Sequence, residues 1–190
     1  VPVAVHMDHS DNFDCIMRAL RCGFGSVMYD GSRATYEENV RMSAEVVRAA
    51  HPMGVAVECA LGHVGGASDG DTREDENVYT DPDMAASFVE LTGADFLAVS
   101  IGTVHGVYKS EPRLDLDRLA EIRKRVDVPL VLHGGSGLSD DDFRNVIAGG
   151  ITKVNIYTDV ILAGKKAIAD NMDKGYGEML QASKAAMRQT

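Results

Sequence analysis

Residues 1–9 read VPVAVHMDH, an apolar run that carries straight on into His6, Asp8 and His9. Core strands do not usually finish in three ionisable groups, so the ending asks for partners elsewhere in the chain. The same design recurs. Strands are expected over 1–8, 26–31, 55–62, 96–102, 130–135 and 153–158. At or just beyond their C-terminal ends stand His6/Asp8/His9, Asp30, Glu58, His105, His133 and Asn155 in turn. An open doubly wound sheet gathers its ligands at one switch point. A barrel instead brings every strand end to one mouth. Six contributors on six strands predict an α/β protein with the (β/α)8 TIM barrel architecture.

Amphipathic helix patterns fill the spaces between strands, over 11–22, 35–50, 81–92, 115–125, 139–148 and 159–171, with a last one near 176–189. Asp11 or Asn12, Thr35 (with Glu38 three residues on), Asp81 before Pro82, and Ser139 have the chemistry of N-caps. Gly23, Gly93 and the Gly149–Gly150 pair suit helix ends. Repeated βα units with apolar strands imply a parallel sheet covered on both faces. Nothing in the composition divides 1–190, so a single catalytic barrel domain is expected. The long acidic, Gly-rich stretch 62–80 follows a strand end and is expected to be an active-site lid.

A formal net charge of −10 disfavours nucleic acid or an anionic membrane surface as partner. No apolar run reaches membrane-spanning length. Cys15, Cys22 and Cys59 show neither metal-like nor redox-like spacing and are expected to be reduced, buried thiols of a cytoplasmic protein.

Three histidines share one context: His9 after HMD, His105 in GTVHG and His133 in LVLHGG. Neutral imidazoles from separate strands are a ligand set for catalytic zinc, with one position left open. Asp8, next to a proposed ligand, is a candidate general acid/base, and His6, two residues from it on the same strand face, a supporting group. HGGSG (133–137) and NIYTD (155–159) each lead into a helix, so each is a candidate phosphate cradle of backbone N–H groups. Thr158 and Asp159 could equally be caps, and Lys109 could add a point charge. Barrel phosphate sites commonly use the loops after strands seven and eight. On that count the first strand here is the third, and the chain is expected to represent the barrel without its first two strands: six βα units plus a C-terminal helix. It also opens inside a strand with no initiating Met, as though upstream sequence had been lost or removed.

AVHMDH, MYDGS, LGHVGG, YTDP, IGTVHGVYK, VPLVLHGGSG and KVNIYTD resemble, in order and spacing, the class II metal-dependent ketose-bisphosphate aldolases, the tagatose- and fructose-bisphosphate branch above all. The resemblance covers nearly the whole chain. It implies that His9, His105 and His133 bind one catalytic zinc, with a monovalent cation as a further candidate, and that Asp8 moves the proton. It implies that Gly106, Gly134, Gly135, Ser136, Asn155, Ile156, Tyr157 and Thr158 hold the dihydroxyacetone-phosphate half, with Lys109 helping and Asp30 in support. It also implies a sugar-phosphate substrate and a homo-dimer or homo-tetramer.

Two positions depart from the family pattern. Ala60 stands where a glutamate is associated with a second metal position beside Asp30. Ala67 and Ser68 stand where the lid carries a glutamate that exchanges a proton with the substrate carbon, which leaves Asp69, Asp71 or Glu74 as substitutes. The expected activity is zinc-dependent cleavage of a ketose 1,6-bisphosphate to dihydroxyacetone phosphate and glyceraldehyde 3-phosphate. A non-catalytic zinc- and sugar-phosphate-binding module and a zinc hydrolase are the alternatives.

Overall fold

A computed structural model describes residues 2–65 and 78–190. Six parallel strands pair in chain order, each with the next: β1 (His6–Ser10), β2 (Ser26–Tyr29), β3 (Ala56–Leu61), β4 (Phe96–Val99), β5 (Leu130–Leu132) and β6 (Ile151–Val154). Helices α1 (Phe13–Arg21), α2 (Tyr36–Ala50), α3 (Pro82–Thr92), α4 (Leu116–Arg125) and α5 (Asp140–Ala148) make the crossovers. After β6 come α6 (Thr158–Ala169) and α7 (Tyr176–Gln189), which pack on each other. Strand order that never departs from chain order is what a barrel requires, because right-handed crossovers then put all helices on one side. The six strands form an arc of a TIM-barrel-like fold.

Side-chain alternation separates the two faces of this arc. Val27, Tyr29, Val57, Cys59, Leu61, Leu97, Val99, Leu130 and Leu132 join the core beneath the helices, against Ile16, Leu20, Val46, Phe88, Leu119, Ile122 and Val146. The residues between them, Met28, Ala60, Ala98 and Val131, make a separate small cluster with Phe96. That second cluster is the inner layer of the arc. Its small residues leave room, and Glu58 on β3 and Lys153 on β6 extend into the same interior, where they meet.

Local chemistry accounts for the element boundaries. Asn12, Thr35, Asp81 and Ser139 accept first-turn N–H bonds as expected, with Asn12 rather than Asp11 doing so at α1. Ser139 and Asp142 form a reciprocal capping box. Strand limits differ from expectation at both ends of the chain. β1 begins at His6, because pairing with β2 starts at His6↔Ser26 and nothing covers Val3, which is 89% exposed. β6 begins at Ile151, directly after Gly150, and ends before Asn155. Of the three cysteines, Cys59 is buried but Cys15 and Cys22 are exposed. They flank the buried face of α1, formed by Ile16, Ala19 and Leu20.

Within the expected lid 62–80, residues 66–77 lie outside the described residues, and with them Ala67, Ser68, Asp69, Asp71 and Glu74. The two ends of that segment are clasped by an antiparallel bridge. His63 N–H donates to Val78 O at 2.7 Å and Val78 N–H donates to His63 O at 2.9 Å.

Candidate active site

Strict strand alternation would turn Asp8 and His9 to opposite faces. The backbone prevents it. The β1–β2 register shifts between Met7 and Ser10, and His9 has φ +41°, a left-handed conformation for a non-glycine residue. This bulge brings the two consecutive side chains into one cavity, whose wall includes both Asp8 and His9. Strain of this kind collects where function over-determines the backbone. Asp30, just past β2, holds the result in place: its Oδ2 lies 2.7 Å from His9 Nδ1.

The three histidines meet. Each offers a nitrogen, and these nitrogens all lie within 4.8 Å of one another. His9 and His133 are tied on their far sides, His9 Nδ1 by Asp30 and His133 Nε2 by Glu58 Oε1 at 2.8 Å. A carboxylate partner fixes the proton on the nitrogen it faces, so His9 Nε2 and His133 Nδ1 are left with lone pairs. These two atoms approach to 2.8 Å. Facing lone pairs at that distance repel unless a cation or a shared proton lies between them. His105 Nε2 is buried with no hydrogen-bond partner among the described residues. Burial first, and then the neighbouring His9 and His133 rings, push the His105 imidazole down to about 4, so it is neutral near pH 7. Convergent lone pairs, an orphaned buried nitrogen and carboxylate-oriented rings fit a zinc ion.

Asp8 completes the rim. Asn155 Nδ2 donates to its Oδ1 and Oδ2 at 3.1 and 3.0 Å, and His6 Nε2 lies 3.7 Å from Oδ1. Burial would raise the Asp8 carboxyl, but the surrounding His6, His9, His133 and Lys153 outweigh it. The group is held well below the usual carboxylate range. His9 shows the converse balance: burial lowers it, while Asp30, Asp8 and Glu58 together raise it.

The glycine-rich turn at 133–137 and the turn at 155–159 are joined more closely than their sequences suggest. Ser136 Oγ accepts from the N–H groups of Tyr157 and Asp159 at 3.2 Å each, and so caps the start of α6 from the neighbouring loop. Asp159 Oδ2 accepts from Gly137 N–H at 2.8 Å, and Gly135 N–H donates to Asn155 O at 3.0 Å. Gly134 has φ +70°, and a Cβ there would come within 2.4 Å of Val104 O. Glycine is what lets this turn press against the loop that carries His105.

All of this opens into one cavity of about 650 Å³. Of the expected site residues, Asp8, His9, Asp30, His105, Gly106 and Gly134 form part of its wall, as do Ser136, Asn155, Tyr157 and Thr158. His133 sits directly behind, 2% exposed, lining a small void with Ala60. His6, Lys109, Gly135 and Ile156 do not line the main cavity. Gly135 joins the two loops instead. Sequence reasoning noted Glu58 as a strand-end residue without a role and passed over Lys153. Their signal was available, since a glutamate in an apolar strand (VAVECALG) and a lysine opening KVNIYT both need buried partners.

A parallel α/β arc with three imidazoles, a carboxylate and two helix-leading turns at one mouth has the layout of a barrel lyase. The family model "Fructose-bisphosphate aldolase class-II" matches residues 1–190. The chain belongs to that family. It is 43% identical over 189 residues to the uncharacterized protein YdjI of Escherichia coli (strain K12), covering all of this chain and 68% of the relative. The crystal structure of the YdjI aldolase from E. coli K12 superposes with a TM-score of 0.85 at 39% identity, over 100% of this chain and 65% of that one. Fructose-bisphosphate aldolase (Fba) from Campylobacter jejuni gives a TM-score of 0.79 at 27% identity, over 100% and 68%. The chain thus spans about two thirds of the length of these relatives.

Proposed function

We propose that the protein is a zinc-dependent class II aldolase that cleaves a ketose 1,6-bisphosphate, fructose or tagatose, into dihydroxyacetone phosphate and glyceraldehyde 3-phosphate. The observation that carries the reading is the convergence of the His9, His105 and His133 nitrogens beside the Asp8 carboxylate, at the mouth of a parallel arc.

A zinc ion held by His9, His105 and His133 supplies Lewis-acid polarisation of the ketose carbonyl. The chain does the rest. Asp8, ionised and aimed by Asn155, takes the proton of the C4 hydroxyl as the C3–C4 bond breaks, the bond's electron pair passing into the ketose carbonyl. C3 of the dihydroxyacetone-phosphate half then takes up a proton before release. In the condensation direction Asp8 returns the hydroxyl proton. The turns at 134–136 and 155–158 hold the phosphate end with backbone N–H groups and the start of α6. Asp30 keeps His9 turned to the ligand position. Of the described helices, none is long and apolar enough to cross a membrane. A cytoplasmic homo-dimer or homo-tetramer acting on a sugar phosphate completes the proposal.

The decisive assay measures cleavage of both bisphosphates by the full-length protein, before and after chelation and zinc replenishment. Cleavage of at least one, lost with chelator and restored by zinc, is expected. A zinc-loaded protein that cleaves neither overturns the reading.

A further inference from the structure

His133 is held by a chain of buried charges that reaches across the interior of the arc. His133 Nε2 lies 2.8 Å from Glu58 Oε1, and the other oxygen, Oε2, takes the Lys153 ammonium at 2.7 Å. Glu58 and His133 are 1% and 2% exposed, and the Lys153 side chain is 31% exposed. The lysine is therefore the one member of this chain that water reaches to a substantial degree. A second set of groups that could hold a metal, His6, Asp8 and Glu58, shares this place. Lys153 already puts a positive charge on its carboxylate.

We propose that Lys153 and Glu58 are a positioning pair for His133, an inference that rests on the zinc reading above. The ammonium, bound to Oε2, holds the Glu58 carboxylate with its Oε1 turned to the ring. Glu58 in turn keeps the His133 proton on Nε2, so that Nδ1 presents a lone pair to the ion. Without that anchor the ring can take its proton on Nδ1, the nitrogen that faces His9 Nε2. Asn155 adds to the need for an anchor: its Nδ2 lies 3.3 Å from His133 Nε2, and with the proton on Nε2 two donors face each other there. The amide is satisfied by Asp8 instead, so the two ends of the site are set by one choice of tautomer. Lys153 here supplies an internal cation from β6 beside the His6, Asp8 and Glu58 group.

The test measures zinc affinity of the full-length protein by chelator competition, the absorption spectrum of the cobalt-loaded form, and the melting temperature without metal. Lys153→Met and Glu58→Gln are each expected to weaken zinc binding by about 10–100-fold and to alter the cobalt spectrum. The double variant is expected to be no weaker than the worse single one. Lys153→Arg, which keeps the charge, is expected to restore most of the affinity. The inference is overturned if Lys153→Met binds zinc as the parent does with the same cobalt spectrum, or if affinity falls only in step with the metal-free melting temperature. A parent that binds zinc, loses it on these substitutions and yet cleaves no ketose phosphate overturns the functional reading alone. A parent that binds no zinc overturns both.

Discussion

At His9 the backbone spends conformational energy to make a site. A φ of +41° on a residue with a Cβ is uncommon, and it is what lets Asp8 and His9 share a mouth. Asp8→Asn keeps the volume and the Asn155 neighbour but removes the base. Cleavage is expected to fall by about 100-fold or more while zinc binding is retained, so parallel turnover and metal-affinity measurements separate the roles of these adjacent residues. Unchanged turnover would remove Asp8 from the mechanism. A second expectation concerns the thiols. Burial pushes the Cys59 thiol up to about 12, whereas Cys15 and Cys22 are exposed. In native protein at pH 8 a thiol reagent is expected to modify Cys15 and Cys22 quickly, and Cys59 only after denaturation. The sign of the linkage follows from the raised value: burying a neutral Cys59 favours the fold below the unfolded pKa of about 8.5. That contribution declines as pH rises through the interval towards 12.

At the scale of elements, the apolar strands and their polar endings were legible because each ending follows directly on an apolar run, as at LVLHGG. Three of the four helix caps were equally plain, since Ser, Thr and Asp sit at the starts with little else to do there. What was not legible depends on pairing across the arc. The β1 bulge is a property of the β1–β2 register. The contact of Glu58 with Lys153 joins residues 95 positions apart, on strands that are not neighbours. Exposure of Cys15 and Cys22 follows from which face α1 buries, a choice made by β2 and α2. The glycines of the 133–137 turn divide in the same way. Their loop character could be read, but Gly134 serves close packing against Val104 and Gly135 joins the loops. Gly134→Ala would need both a left-handed alanine and a Cβ 2.4 Å from Val104 O. The turn must move, at a cost of roughly 2 kcal/mol or more, measurable by denaturant unfolding. Gly23→Ala, also at positive φ but with nothing within 4 Å of its Cβ, is expected to cost less. Equal losses would mean that crowding at Gly134 is unimportant.

For the whole molecule, the outermost strands of the arc matter most. Among the described residues, β1 has a ladder only to β2, and β6 only to β5. Across the mouth, side chains span the distance that backbone pairing does not: Asp8 with Asn155, and His9 with His133. The second contact sets two imidazole nitrogens 2.8 Å apart, an arrangement that needs a shared proton or a cation between them. An ion bound there would join β1 to the end of β5 and to the loop carrying His105, and so would stabilise the fold where its ladder stops. Ligand at 100 times its Kd contributes about 2.7 kcal/mol, which for a chain of this size is about 5–10 °C in melting temperature. Zinc is expected to raise the melting temperature by that order, and chelator to reverse it. His9→Ala should abolish the shift, because it removes the ligand that β1 contributes. Hydrogen exchange gives the place as well as the size of the effect: β1 amides should slow on adding zinc, while those of α2, on the far side of the sheet, should change little. A uniform slowing, or a zinc shift that survives His9→Ala, would put the ion somewhere other than the three histidines.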